Sequence, residues 1–193
     1  MKRRILGAIA GIGLLVAGLA EAAPLKLTPA NPQPKPRAGL AVSYAWAGNP
    51  PARIQDLSQA RGLLGSGGKP GRPLRGLDYA DTNEGDPVLT HDQHYNVVAD
   101  IRGYIKFDAP GIYEVETWSN DGIDARIAGQ PVGRFSGRQG CEANQRVEVE
   151  VPQAGWYDLN ILYFQKYGTA CLMMKWGKKG QGLSWVPNSA FGY

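Results

Sequence analysis

Ile101-Arg102-Gly103-Tyr104-Ile105-Lys106-Phe107 and Ile112-Tyr113-Glu114-Val115-Glu116-Thr117 are two alternating runs separated by Asp108-Ala109-Pro110-Gly111. Side chains along a strand point to opposite faces in turn, so each run has one dry face and one wet face. Pro-Gly between them is a turn signal. The pattern returns downstream. Val147, Val149 and Val151 alternate with Arg146, Glu148 and Glu150, and Tyr157, Leu159, Ile161 and Tyr163 alternate with Trp156, Asp158 and Asn160. Ala170, Leu172, Met174 and Trp176 share one face of a last long strand. Period-two runs repeated between Gly/Pro turns predict an all-β chain, an antiparallel sandwich or barrel. No helix-period stretch exceeds two turns.

Composition agrees. The chain has 193 residues with 26 Gly and 14 Pro, a load that argues against a helical bundle because both destabilise helix interiors. Nine Tyr, five Trp and four Phe supply the bulk of a core, which argues against disorder. The length suits one domain.

Upstream of the strands lie two segments of other character. Lys2, Arg3 and Arg4 precede an uncharged apolar run from Ile5 to Leu19, and Ala20-Glu21-Ala22 has a small-x-small pattern. Residues 1–22 therefore read as an export signal cleaved near Ala22; the run falls short of the roughly 20 residues that span a bilayer. The expected location is secreted or periplasmic, with the membrane met only during export. The formal charge of +4 drops when the basic start leaves, which argues against a nucleic-acid partner. Pro24, Pro29, Pro32, Pro34 and Pro36 make residues 23–38 a Pro-rich linker, expected to act as a semi-rigid tether. The domain then spans 39–193 and opens with a strand from Leu40 to Trp46.

Residues 50–95 lose periodicity, and Gly62 to Gly76 reads as a loop. Its Gly67-Gly68-Lys69 is not a phosphate-binding loop, because Leu63 stands where the earlier glycine is needed and Pro70 replaces the Ser or Thr. Asp78, Asp81, Glu84 and Asp86 read as a solvated turn, and His91 and His94 as loop histidines. Cys141 and Cys171 are most simply one disulfide in an exported protein, with two buried free thiols as the alternative.

The most informative stretch is Gly111-Ile112-Tyr113-Glu114-Val115 followed by Ser119-Asn120-Asp121-Gly122 and Ile127-Ala128-Gly129. With Gly155-Trp156-Tyr157 through Tyr163-Phe164, Leu172-Met173-Met174-Lys175-Trp176 and Val186-Pro187-Asn188-Ser189-Ala190, it resembles the protective-antigen-type (PA-14) domain, the β-barrel shared by yeast flocculins, adhesins and some glycosidases. The likeness runs over about residues 39–190 and is poor in 50–95.

That resemblance implies carbohydrate recognition, often with Ca²⁺ held by two consecutive Asp residues across a cis peptide. Those positions fall on Asn120 and Asp121, which makes them the implied metal ligands. Asn120 brings one fewer negative charge than the family's Asp. Lys166, in the loop 165–169 that carries the second ligand set in the family, brings a cation near the same place. Trp118 and Tyr167 offer flat faces to a sugar ring, as does Trp185, and Asp121 and Gln165 offer polar partners. The expected ligand site is Trp118, Asn120, Asp121, Gln165 and Tyr167, at one end of the barrel.

No nucleophile motif and no marked carboxylate pair is present, so no enzyme is expected. The reading is an exported lectin-like module for a glycan or cell-surface polysaccharide. The alternative is a structural module docking an envelope protein without binding glycan.

Overall fold

The computed structural model describes residues 22–51 and 53–193. The expected export signal lies, apart from Ala22, outside the described residues.

In chain order the elements are β1 (Leu25–Lys26), β2 (Ala41–Trp46), α1 (Leu57–Gly67), β3 (Lys69–Pro70), β4 (Asp78–Tyr79), β5 (Val97–Phe107), β6 (Gly111–Asn120), β7 (Gly122–Ile127), β8 (Gln130–Phe135), β9 (Glu142–Val151), β10 (Gly155–Gln165), β11 (Cys171–Lys178), β12 (Ser184–Trp185) and, after a short 3-10 turn, β13 (Phe191–Gly192). They form two sheets. One runs β1-β9-β6-β11-β12, with β4 also on β11; the other runs β3-β2-β5-β10-β7-β8, with β13 also on β5. All pairs are antiparallel except β1 with β9. The sheets pack as a sandwich that does not close into a barrel.

The alternation read from the sequence sets which face is dry. Ile101, Ile105 and Phe107 of β5, Tyr113 and Val115 of β6, Val149 and Val151 of β9, and Tyr157, Leu159, Ile161 and Tyr163 of β10 all lie in one core between the sheets. Phe107 packs edge-on against Tyr113 and Tyr157 at 4.9 and 5.4 Å, linking three of those strands. Cys141 and Cys171 are disulfide-bonded.

Two expectations are corrected. The segment 50–95 contains a helix. Asp56 caps α1, its carboxylate accepting the Gln59 N–H at 2.9 Å, while the Gln59 side chain accepts the Gln55 N–H at 2.8 Å. Leu57 and Ala60 are buried with Ile54, Ala45, Val98 and Phe164 in a second, smaller cluster on the outer side of the β5–β10 sheet. Gly62, Gly65 and Gly67 weaken the intrinsic helix signal by about 1 kcal/mol each, so tertiary packing holds what propensity does not.

The Pro-rich segment, expected as a semi-rigid tether, instead packs along the domain. Leu25 and Lys26 pair with Val149 and Glu150, and Leu27 is buried in the main core at 1% exposure. The Gln33 side chain bridges Ala30 and Trp156, donating to both carbonyls and accepting the Trp156 N–H at 2.7 Å. Arg37 and Tyr193 exchange backbone hydrogen bonds at 2.8 Å each. Prolines suit an edge strap because it need donate few hydrogen bonds. The apolar anchor is Leu27.

Candidate functional site

Asp121 stands at the corner where the chain leaves β6 in one sheet and enters β7 in the other. The Asn120–Asp121 peptide is cis, as the resemblance implied. The corner is fixed from several sides. The Asp121 N–H donates to the Phe164 carbonyl at 3.0 Å, the Tyr163 hydroxyl donates to the Asn120 carbonyl, and the Ser119 hydroxyl donates to the Asp121 carbonyl at 2.9 Å. Buried backbone groups with partners of this kind do not drift.

The loop after β10 is bound to the same corner. The Lys166 N–H donates to Asp121 Oδ2 at 2.8 Å, and Asn120 Nδ2 donates to Thr169 Oγ1 at 3.0 Å. The two expected segments therefore meet. Gln165 lies beneath them, fully buried, its amide donating to the Thr169 carbonyl at 2.5 Å. It shapes the loop rather than lining the opening.

A third segment was missed in the sequence. Residues 136–140 end at Cys141, and the bridge to Cys171 ties them to the start of β11, opposite Asn120 in register. Gln139 from this segment donates to the Ser119 carbonyl, the Ser119 hydroxyl and Asn144 Oδ1, each at 3.0 Å. Arg138 lies beside Asp121, with Nε 4.0 Å from Oδ1. The only sequence signal for this contribution is Cys141, two and three positions beyond.

Together the three segments enclose a cleft of about 500 Å³ lined by Glu84, Asn120, Asp121, Arg138, Gln139, Tyr167 and Thr169. Glu84 belongs to the acidic stretch read as a solvated turn. Tyr167 is 52% exposed, and both the Arg138 guanidinium and the Lys166 ammonium lie 4.7 Å from its ring centre.

Trp118 is not in this cleft. Thr117 and Ser119 point into the sandwich, so alternation turns Trp118 to the outer face of β6. There it meets Trp185 at 6.0 Å, and the Lys175 ammonium lies over both rings, at 4.7 and 4.3 Å. Its indole N–H donates to Glu116 at 2.9 Å. His91 lies in a separate, larger cavity of about 980 Å³ beside Tyr44 and Trp46, its Nδ1 accepting the Gln93 N–H at 3.0 Å.

Burial raises the Asp121 carboxyl above its ordinary value of 3.8, opposed by the Lys166 N–H, the Arg138 charge, the Gln139 N–H and the Lys166 charge. Burial, and next the Asp121 charge, push the Tyr163 phenol well above its ordinary range, so it remains a hydrogen-bond donor.

This donor set does not fit a calcium ion, which takes six to eight oxygen ligands and draws affinity from their negative charge. Asp121 offers one buried carboxylate, and Glu84 is the other acid that lines the cleft. Asp121 Oδ2 already accepts an N–H, and Asp121 Oδ1 faces a guanidinium. Among the described residues no three His, Cys, Asp or Glu side chains converge on a metal position.

The PA14 domain pattern matches residues 80–190, more than half of the chain, and these residues contain the Asp121 corner, the bridged loop and both faces of the cleft. The chain belongs to the PA14 domain family. Among solved structures, this PA14 domain resembles the PA14 domain of the MpAFP antifreeze protein (TM-score 0.66, 15% identity, 84% of this chain and 95% of that one). It also resembles the PA14 sugar-binding domain of an RTX adhesin (TM-score 0.62, 16% identity, 81% and 98%). A third is the epithelial adhesin 9 A domain of Candida glabrata in complex with Galβ1-4GlcNAc (TM-score 0.66, 16% identity, 88% and 94%). No curated protein matches the sequence significantly.

Proposed function

We propose that this PA14 domain is an exported carbohydrate-binding module whose site is the cleft at Asp121. One observation carries the reading: segments 119–121, 138–140 and 166–169 converge on a buried carboxylate beside an exposed tyrosine ring. A carboxylate held by backbone donors accepts sugar hydroxyls strongly, because a charge-assisted hydrogen bond is about twice as strong as a neutral one. A tyrosine face receives the C–H groups of a pyranose, and the polar groups around it fix orientation. The sugar-binding adhesin domains of like fold support the assignment. Binding without turnover is the proposed activity.

The test is a glycan array, followed by polysaccharide pull-down, for the wild type and Asp121→Ala. Circular dichroism checks that the variant keeps its β fold. Saccharide retained by the wild type and lost by the variant supports the reading. Absence of any retained saccharide overturns it.

A further inference from the structure

We infer that Arg138 stands in for a metal ion, so that this PA14 domain recognises a diol of an uncharged saccharide directly, between Asp121 and Arg138, without calcium. The inference rests on the carbohydrate reading and names the ligand class and its chemistry.

The geometry leaves a gap of the right size. Arg138 Nε and Asp121 Oδ1 are 4.0 Å apart, beyond a hydrogen bond, whose N–H···O distance runs to about 3.2 Å. The two groups form an ion pair without a direct hydrogen bond, so each keeps hydrogen-bonding capacity for a third group. A hydroxyl placed between them lies within hydrogen-bond distance of both, donating to Oδ1 and accepting from the guanidinium. The planar fork of Arg presents further N–H groups to an adjacent hydroxyl, and the side chain is 41% exposed.

Both partners are held before a ligand arrives. Asp121 is 3% exposed and tied through Oδ2 to the Lys166 amide. The guanidinium lies against Tyr167, and its loop is pinned through Gln139 and Cys141. Holding binding groups in place lowers the ordering cost of association. Charge selects the ligand. Asp121 and Glu84 balance Arg138 and Lys166 around the cleft. An uncharged saccharide leaves that balance intact, whereas a divalent cation would be set against two positive side chains.

The test uses the folded domain and a neutral saccharide taken from the array, titrated by calorimetry in EDTA and again in millimolar CaCl₂, with CaCl₂ alone titrated separately. Equal affinity in both buffers, no Asp121-dependent heat from CaCl₂ alone, and roughly tenfold or greater weakening in Arg138→Gln are expected. Arg138→Lys keeps the charge without the fork and should recover only part of the loss. Saccharide bound only with CaCl₂, wild-type affinity in Arg138→Gln, or preference for uronate, sialylated or sulfated glycans would overturn this inference and leave carbohydrate binding standing. No saccharide in either buffer overturns both.

Discussion

Arg61 of α1 and Asp124 of β7 form a salt bridge of 2.5 Å across 63 residues of chain. Asp124 is nearly sealed, its side chain 4% exposed, and also receives Arg126 at 3.1 Å. This pair ties the helix to β7, the strand that begins just after the Asp121 corner. Replacing Arg61 by Met should lower stability by about 1 kcal/mol, a modest loss because Arg61 is half-exposed and Asp124 keeps a second cation. Urea unfolding of the variant checks this, and an unchanged midpoint would show the pair to be incidental.

Asp121 should impose opposite pH dependences on folding and binding. Its raised carboxyl binds a proton more tightly folded than unfolded, so the linked stability is present below 3.8 and is lost as pH rises through the raised value. Saccharide affinity should fall as pH drops through that same raised value, since the protonated acid is a weaker acceptor. Titrations between about pH 3 and 8 on the wild type and Asp121→Asn separate the two, and the difference between the two proteins isolates the Asp121 contribution from the other titrating groups.

The bridge Cys141–Cys171 closes a separation of 30 residues. Replacing both cysteines by Ser should cost about 3–4 kcal/mol in the chain-entropy account. It should also weaken saccharide binding, because it frees the loop that carries Arg138 and Gln139. Denaturant midpoints and calorimetry with and without reductant measure each effect.

Leu27 anchors the strap before β2. Leu27→Ala should destabilise the domain by about 2–5 kcal/mol, the range for emptying a core leucine site. A free tether would tolerate the change, so a thermal melt distinguishes the two arrangements.

The strand faces were legible in the sequence because alternation reports burial directly. Tyr157, Leu159, Ile161 and Tyr163 were placed inward by pattern and are all buried. The meeting of Asp121 with loop 165–169 was legible only through the family likeness. Neither α1 nor the strap was legible, and both misreadings have one cause. Glycines in the helix and prolines in the strap carry local signals opposed to the packing that Leu57, Ala60 and Leu27 enforce. Trp118 lies away from the Asp121 cleft because strand parity turns it to the outer face of β6. Arg138 and Glu84 are remote in sequence from Asp121, and only the disulfide hinted at the first.

The outward turn of Trp118 governs how a ligand can be seen. Of the five tryptophans, none lines the cleft among the described residues, whereas Tyr167 does. Indole fluorescence is therefore a poor witness to a sugar entering there, and the Tyr167 ring resonances or a label on the bridged loop are the reporters placed to register it.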